Sequence, residues 1–362
     1  MKVLILGAGA TAYSSHANKD RRPPTSKDGF LRMFTELILH RPSVESHDKH
    51  VFIEGIELHD NDIEAFFTTL YSLSDEELCK KMTQPDEVLK RKKLQVIINK
   101  YCPNNPVTYA NLRTLFSGIL RDEIQGCIGT TSNPPYYLNR DNNKSPWPPE
   151  MPICRWHRAI AKTLTKEDVV INFNYDSIMA YALLNENKLS RNSFINTYIE
   201  FVDMPEKHIS GEHIYLFTPH GSFTWYRKMT KYISSKITIG LNNSPPKECT
   251  SDPVILPLKI KQNILQKIPH LKEETEASLN VIKEAEEIYL IGKQFKSSDT
   301  DWAEEIKKVC SQGKQKLITY ANPDSTEKSW IEHHNDIFNS KNKVCFSSVE
   351  ELANAILAGK KF

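Results

Sequence analysis

The chain has no C-x-x-C pair, although it contains seven cysteines spread over its 362 residues. An odd number of widely spaced thiols excludes a simple disulfide framework, and without paired thiolates at short spacing no structural zinc knot can be assembled. That usage fits reduced thiols in a cytoplasmic setting. No run approaches the roughly 18 apolar residues of a membrane-spanning helix, so no membrane partner is expected. The apolar N-terminal run breaks after about ten residues, which reads as a first buried strand rather than a signal peptide. Long blocks of like charge are also missing, and the net charge is only +2. A nucleic-acid or membrane surface therefore has no electrostatic signature, and no direct nucleic-acid binding is expected.

What is present begins at once. Val3-Leu4-Ile5-Leu6 is an apolar strand that runs into Gly7-Ala8-Gly9-Ala10-Thr11. Small residues at a strand end let a backbone approach a pyrophosphate closely. A redox dinucleotide unit would continue directly into a helix and then a second strand ending in Asp or Glu. Neither is evident in the polar stretch Tyr13 to Gly29, which reads as a long loop over the glycines.

Residues 30–165 read as mostly helical. Apolar spacing predicts helices over Phe30 to Leu39, Asp60 to Leu73, Glu87 to Tyr101 and Thr108 to Cys127. Ser74-Asp75-Glu76-Glu77 is a helix start, and His50 to Ile53 reads as a short strand. A Pro- and Asn-rich loop, Ser132 to Pro152, closes this segment. From residue 166 strands alternate with helices. Strands are predicted at 168–173, 214–217, 288–291, 317–320 and 343–346, and helices at 177–184, 301–310, 326–335 and 349–358. Residues 227–257 read as an irregular insert with some strand character. Short, nearly continuous apolar strands between helices indicate an α/β fold with a mainly parallel sheet covered on both faces. The sheet takes its first strand from residues 2–6, and the helical segment is an insertion after it.

Four later strand ends carry residues with chemical potential, at the edge where open α/β sheets bind ligands. Asn172-Phe173-Asn174-Tyr175-Asp176 follows one strand, and Asp176 is also placed to cap the helix behind it. His220, in Thr218-Pro219-His220-Gly221, has a glycine beside it for close approach and suits acid–base work. Gly292 ends a third strand, where a tight turn and a ribose contact are equally compatible. Asn322, in Asn322-Pro323-Asp324, is ordinary turn chemistry or a ribose partner.

Taken in chain order, the Gly-Ala-Gly-Ala-Thr, Asn-Tyr-Asp, His-Gly, Ile-Gly and Asn-Pro elements resemble the Sir2 family, particularly its SIR2-like branch. The resemblance covers residues 1–29 and about 166–350. It implies a Rossmann-like NAD-binding domain made of 1–29 and 166–362, with 30–165 as a helical insertion. The chain departs from the sirtuin deacylases in lacking the zinc-binding C-x-x-C pairs, so no zinc is expected. Arg22-Pro23-Pro24-Thr25 replaces the usual flap sequence, and Lys293-Gln294 replaces the small hydroxyl residues after the third strand's glycine.

What the branch implies is hydrolysis of NAD+, as the effector of a bacterial antiphage defence system. The resemblance assigns His220 as the base and Asn174 as the residue that holds water or a ribose hydroxyl. Asp176 anchors the nicotinamide side or caps its helix. Gly7, Ala8, Gly9, Ala10 and Thr11 offer N–H groups to the pyrophosphate, and Gly292 and Asn322 lie against the adenosine ribose. It further implies a homo-oligomer and an activating partner: an ATPase, an Argonaute-like protein or a phage component. The alternatives are an NAD-dependent deacylase or ADP-ribosyltransferase at the same site, and a non-catalytic NAD- or ADP-ribose-binding module.

Overall fold

Val3, Leu4, Ile5 and Leu6 are all buried, which requires the first strand to be covered on both faces. In the computed structural model it is β1 (Lys2–Leu6), and it lies in the middle of a six-stranded parallel sheet. The structure describes residues 1–12, 46–104, 111–118, 154–189, 193, 199–202, 213–229, 233–240, 248–255, 268–295 and 299–360. The expected helix 30–39, the loops 13–29 and 132–152, the Arg22 to Thr25 flap and most of 108–127 lie outside these residues.

The other strands of the sheet are β2 (Val169–Asn172), β4 (Tyr215–Phe217), β8 (Glu287–Ile291), β9 (Lys316–Ala321) and β10 (Ser340–Phe346). Their spatial order is β4-β2-β1-β8-β9-β10. Counted along the chain within this sheet that is 3-2-1-4-5-6, the dinucleotide-binding order. The order reverses between β1 and β8, so the crevice lies above the ends of those two strands. All five pairings are parallel, as the short apolar strands led one to expect.

Alternate residues of the strands feed two cores. Val3, Ile5, Ile171, Ile288 and Ile318 pack on one side with Ile282, Trp302, Ile306 and Phe338. These come from α8 (Pro269–Glu284), α9 (Thr300–Cys310) and α10 (Lys328–Phe338). Leu4, Leu6 and Val170 pack on the other side with Ile160, Leu183 and Leu352. Those belong to α6 (Arg155–Thr163), α7 (Ile178–Asn185) and α11 (Val349–Leu357).

The second core continues into helices α2 (Ser46–Leu58), α3 (Ile63–Ser72), α4 (Glu76–Lys81) and α5 (Pro85–Tyr101). Asp75 accepts from Glu77 N–H and Leu78 N–H at the start of α4, the cap that the sequence indicated. The expected strand at His50 to Ile53 is instead the interior of α2. Val51, Phe52, Gly55 and Ile56 are its buried residues, and that spacing is helical. Four residues were too short a window to separate the two periods.

The insert expected at 227–257 with some strand character is more regular than that in its described part. Together with the residues just before it, it contributes β5 (Gly221–Met229), β6 (Ile233–Gly240) and β7 (Cys249–Ile255) to a second sheet. Its first strand, β3 (Ile199–Val202), comes from earlier in the chain, and the spatial order is β3-β6-β5-β7. β5 is antiparallel to both neighbours. Its signal is a short alternation, with Phe223 and Trp225 buried around the half-buried Thr224, and it begins directly behind His220.

Candidate functional site

The register of the parallel sheet lines up the strand ends. Leu6 is level with Asn172 and with Ile291, and Ile291 with Ala321. Backbone bonds carry the alignment one residue further. Gly7 N–H donates to Ile291 O, Phe173 N–H to Leu6 O, and Gly292 N–H to Ala321 O, each at 2.9 Å. The sequence-predicted elements from Thr218 to Asn322 therefore lie along one edge, across four strand spacings, or about 19 Å. All ten predicted site residues are described and fall on this edge.

The glycines do a different job from the one expected. A helix, α1 (Ala8–Ala12), starts immediately after β1, where the sequence suggested none. A Cβ on Gly7 would lie 2.5 Å from Lys293 Cα, and one on Gly9 would lie 2.9 Å from Gly292 Cα. Gly292, at φ +59°, would overlap Ala10 N with any side chain. The two turns thus interlock backbone against backbone, which only glycine permits. Gly9 N–H donates to Gly292 O at 2.9 Å and Ala10 N–H to Gly7 O at 2.8 Å. The N–H groups of Gly7, Gly9 and Ala10 are therefore committed within the protein, which corrects the expectation that the whole run is available to a pyrophosphate. Ala8, at the tip, is exposed.

Asn174 reaches across to this turn. Its Nδ2 donates to Gly7 O at 2.9 Å and to Thr11 Oγ1 at 3.3 Å. Because Gly7 O can only accept, the amide orientation is set, with Nδ2 toward the glycine turn. Thr11 Oγ1 in turn donates to Asp176 Oδ2 at 2.8 Å. Asp176 Oδ1 accepts Ile178 N–H at 3.1 Å, and its carbonyl accepts Asn172 Nδ2 at 3.0 Å. Burial raises the Asp176 pKa, with the Thr11 and Ile178 bonds pulling the other way. Both carboxylate oxygens are occupied, so Asp176 stitches α1 to α7 and bonds the first turn of α7.

His220 is buried and packs edge-on against Phe173, centroids 4.9 Å apart, with Tyr175 and Trp302 each at 6.3 Å. Tyr175 also meets Phe116 at 6.2 Å, so the 111–118 helix reaches the site. Gly221, at φ +79°, seats the turn because a side chain there would overlap Val254 O. Asn322 Oδ1 accepts Asp324 N–H at 3.0 Å and Gln294 Nε2 at 3.5 Å. Gln294 also bonds the Asp324 carboxylate. The turn role of Asn322 is therefore filled by its oxygen.

The sequence reading missed the buried ion pair on this edge. Lys293 Nζ meets Asp299 Oδ2 at 2.6 Å and lies 4.6 Å from the centroid of Phe173 and 5.1 Å from that of Phe295. A run of Lys-Gln after a glycine carries no signal of such a pair; six residues separate the partners. Glu274 was missed as well, because a helical glutamate reads as surface.

Away from the site, ligand atoms of His47, Asp48 and Cys102 lie within 4.8 Å of one another. His47 and Asp48 belong to the first turn of α2, whose dipole opposes a cation, Cys102 caps the end of α5, and none is an expected site residue. Among the described residues no helix is long and apolar enough to cross a membrane. No protein-family model matches the chain, and no curated protein matches it.

Proposed function

We propose that the chain hydrolyses NAD+ at the nicotinamide–ribose bond, giving nicotinamide, ADP-ribose and a proton. The observation that carries this reading is the junction of Asn174 and Asp176 with the glycine turn, with His220 packed on the neighbouring Phe173 and Tyr175 rings. Motifs more than 160 positions apart are joined by direct hydrogen bonds at the switch point of a 3-2-1-4-5-6 sheet. That is the crevice where such sheets take dinucleotides.

The chemistry asks little of the leaving group. Nicotinamide departs as a neutral ring from a cationic pyridinium, so no acid is needed there. The protein must hold the ribose, tolerate oxocarbenium character and activate water. His220 takes the proton from the water or from a ribose hydroxyl. Asn174 holds that water or hydroxyl through Oδ1, because Nδ2 is fixed on Gly7. The aromatic wall of Phe173, Tyr175 and Trp302 keeps bulk water from the imidazole. The Lys293–Asp299 pair is neutral overall, so the lysine adds no net charge against a cationic ring. Gln294, Asn322 and Asp324 form the polar end, toward the adenosine ribose.

Hydrolysis of NAD+ without control kills a cell, so this reading includes a partner or self-assembly that switches the enzyme on in antiphage defence. The test is chromatographic product analysis of NAD+ incubated with the chain alone and with the product of its genomic neighbour. Nicotinamide and ADP-ribose in equal amounts are expected. NAD+ recovered unchanged under both conditions overturns the proposal, and O-acyl-ADP-ribose from an acylated peptide moves it to deacylation.

A further inference from the structure

Glu274 is an interior carboxyl that the reaction above does not use. It lies in α8, is 2% exposed, and accepts the Thr218 N–H on Oε2 at 2.9 Å. Thr218 opens the tight turn that presents His220, since its carbonyl accepts Gly221 N–H at 2.8 Å. Pro219 occupies the turn position that favours a fixed φ, and His220 the one after it.

The two ends of this turn are held differently. On the far side, Phe223 N–H donates to Tyr175 O at 2.9 Å, and Ser222 Oγ adds a bond to the same carbonyl at 3.3 Å. On the near side, β4 is the last strand of its sheet among the described residues and is three residues long. Among the described residues no outer strand of that sheet restrains the turn after Phe217. Thr218 Oγ1 is buried and makes no hydrogen bond among the described residues. Among the described residues the N–H of Thr218 on Glu274 is therefore the hydrogen-bonded link between this end of the turn and the helix beneath it.

We propose that Glu274 is a positioning residue for His220, acting through the Thr218 N–H to fix the start of the turn. This rests on the reading of His220 as the base. An apolar side chain would fill the same interior position without desolvating a carboxyl, so the acceptor atom is what the glutamate contributes. Burial pushes its pKa up to about 8. At neutral pH the group accepts through the carbonyl oxygen of a neutral acid, an atom that glutamine also offers.

The test compares Glu274→Gln, which keeps the acceptor, with Glu274→Met, which removes it at similar length. In the full chain under activating conditions, Glu274→Met is expected to lower kcat by about 10-fold or more with KM for NAD+ within about 2-fold. Glu274→Gln is expected within about 3-fold of the parent. If Glu274→Met does not fold, Glu274→Asp, which withdraws the acceptor by one methylene, carries the same expectation. The imidazole 15N resonances of His220, assigned with His220→Asn, should move in Glu274→Met and stay in Glu274→Gln. Unchanged kcat in Glu274→Met, a loss confined to KM, or an equal loss in Glu274→Gln overturns the proposal. If no NAD+ is hydrolysed but the His220 resonances respond as stated, the reaction assignment falls and the positioning role stands.

Discussion

Asn174 donates its side-chain amide to the carbonyl oxygen of Gly7 across 167 positions of chain. One bond thus ties the turn after β2 to the turn after β1, and it makes Asn174 a structural clamp. Under the proposed hydrolysis of NAD+ the same bond joins stability to catalysis at this position.

Asn174→Ala is accordingly expected to lose both. Two buried hydrogen bonds disappear, at a cost of about 1–3 kcal/mol, and nicotinamide release falls by about 100-fold or more. A thermal-melt series beside product analysis checks this. A variant that melts with the parent, or one that still releases nicotinamide at the parent rate, contradicts the assignment.

His220→Asn should separate the two effects. The ring packs on Phe173 but is not part of the Asn174–Thr11–Asp176 chain of hydrogen bonds. Turnover is expected to drop by about 100- to 10,000-fold, the usual range for a lost general base, while ADP-ribose still binds. Calorimetric titration with ADP-ribose is the control, and full activity in this variant removes His220 from the mechanism.

Gly292→Ala tests the interlocked turns directly. Its added methyl would overlap Ala10 N from a backbone at φ +59°, so a loss above about 3 kcal/mol or failure to fold is expected. Gly313→Ala is the comparison, because its nearest contact would be an ordinary 3.6 Å. Equal urea midpoints for the two variants would show that the turns do not pack as described.

The pH dependence of stability should carry opposite signatures from Glu274 and His270. Burial holds Glu274 at about 8 against an ordinary 4.5. Between those values the unfolded chain is ionised and the folded one is not, so stability falls as pH rises from about 4.5 to about 8. Burial drives His270 from 6.5 down to about 3, with Arg227 assisting. The unfolded imidazole then takes up a proton that the folded one refuses, and stability falls as pH drops from about 6.5 toward 3. Glu274→Gln should therefore gain on the parent steadily between pH 5 and pH 8 in urea unfolding. Parallel curves over that range would exclude a buried titrating carboxyl.

Much of the fold was legible because parallel strands covered on both faces read as short apolar runs. Val3 to Leu6, Val169 to Ile171 and Ile288 to Ile291 each stand out between polar turns. The candidate site residues stood out for the same reason, since Asn174, His220, Gly292 and Asn322 come just after such runs. His50 to Ile53 failed because four apolar-rich residues fit either period. The second sheet was obscured because β5 offers only a brief alternation before Tyr226, which is also buried.

What the sequence determined by itself is therefore local: which segments are buried, where each ends, and which reactive residues stand at the ends. The strand order, and with it the meeting of Gly7 and Gly9 with Gly292, was decided by the tertiary structure. So were the direction of the Asn174 amide, the pairing of Lys293 with Asp299, and the reach of Glu274 to Thr218. Burial pattern is written residue by residue, whereas pairing between distant segments is chosen by shared apolar surface and by the requirement that every interior backbone group find a partner. That choice turned the opening glycines from an open phosphate seat into the packed joint on which the site is built.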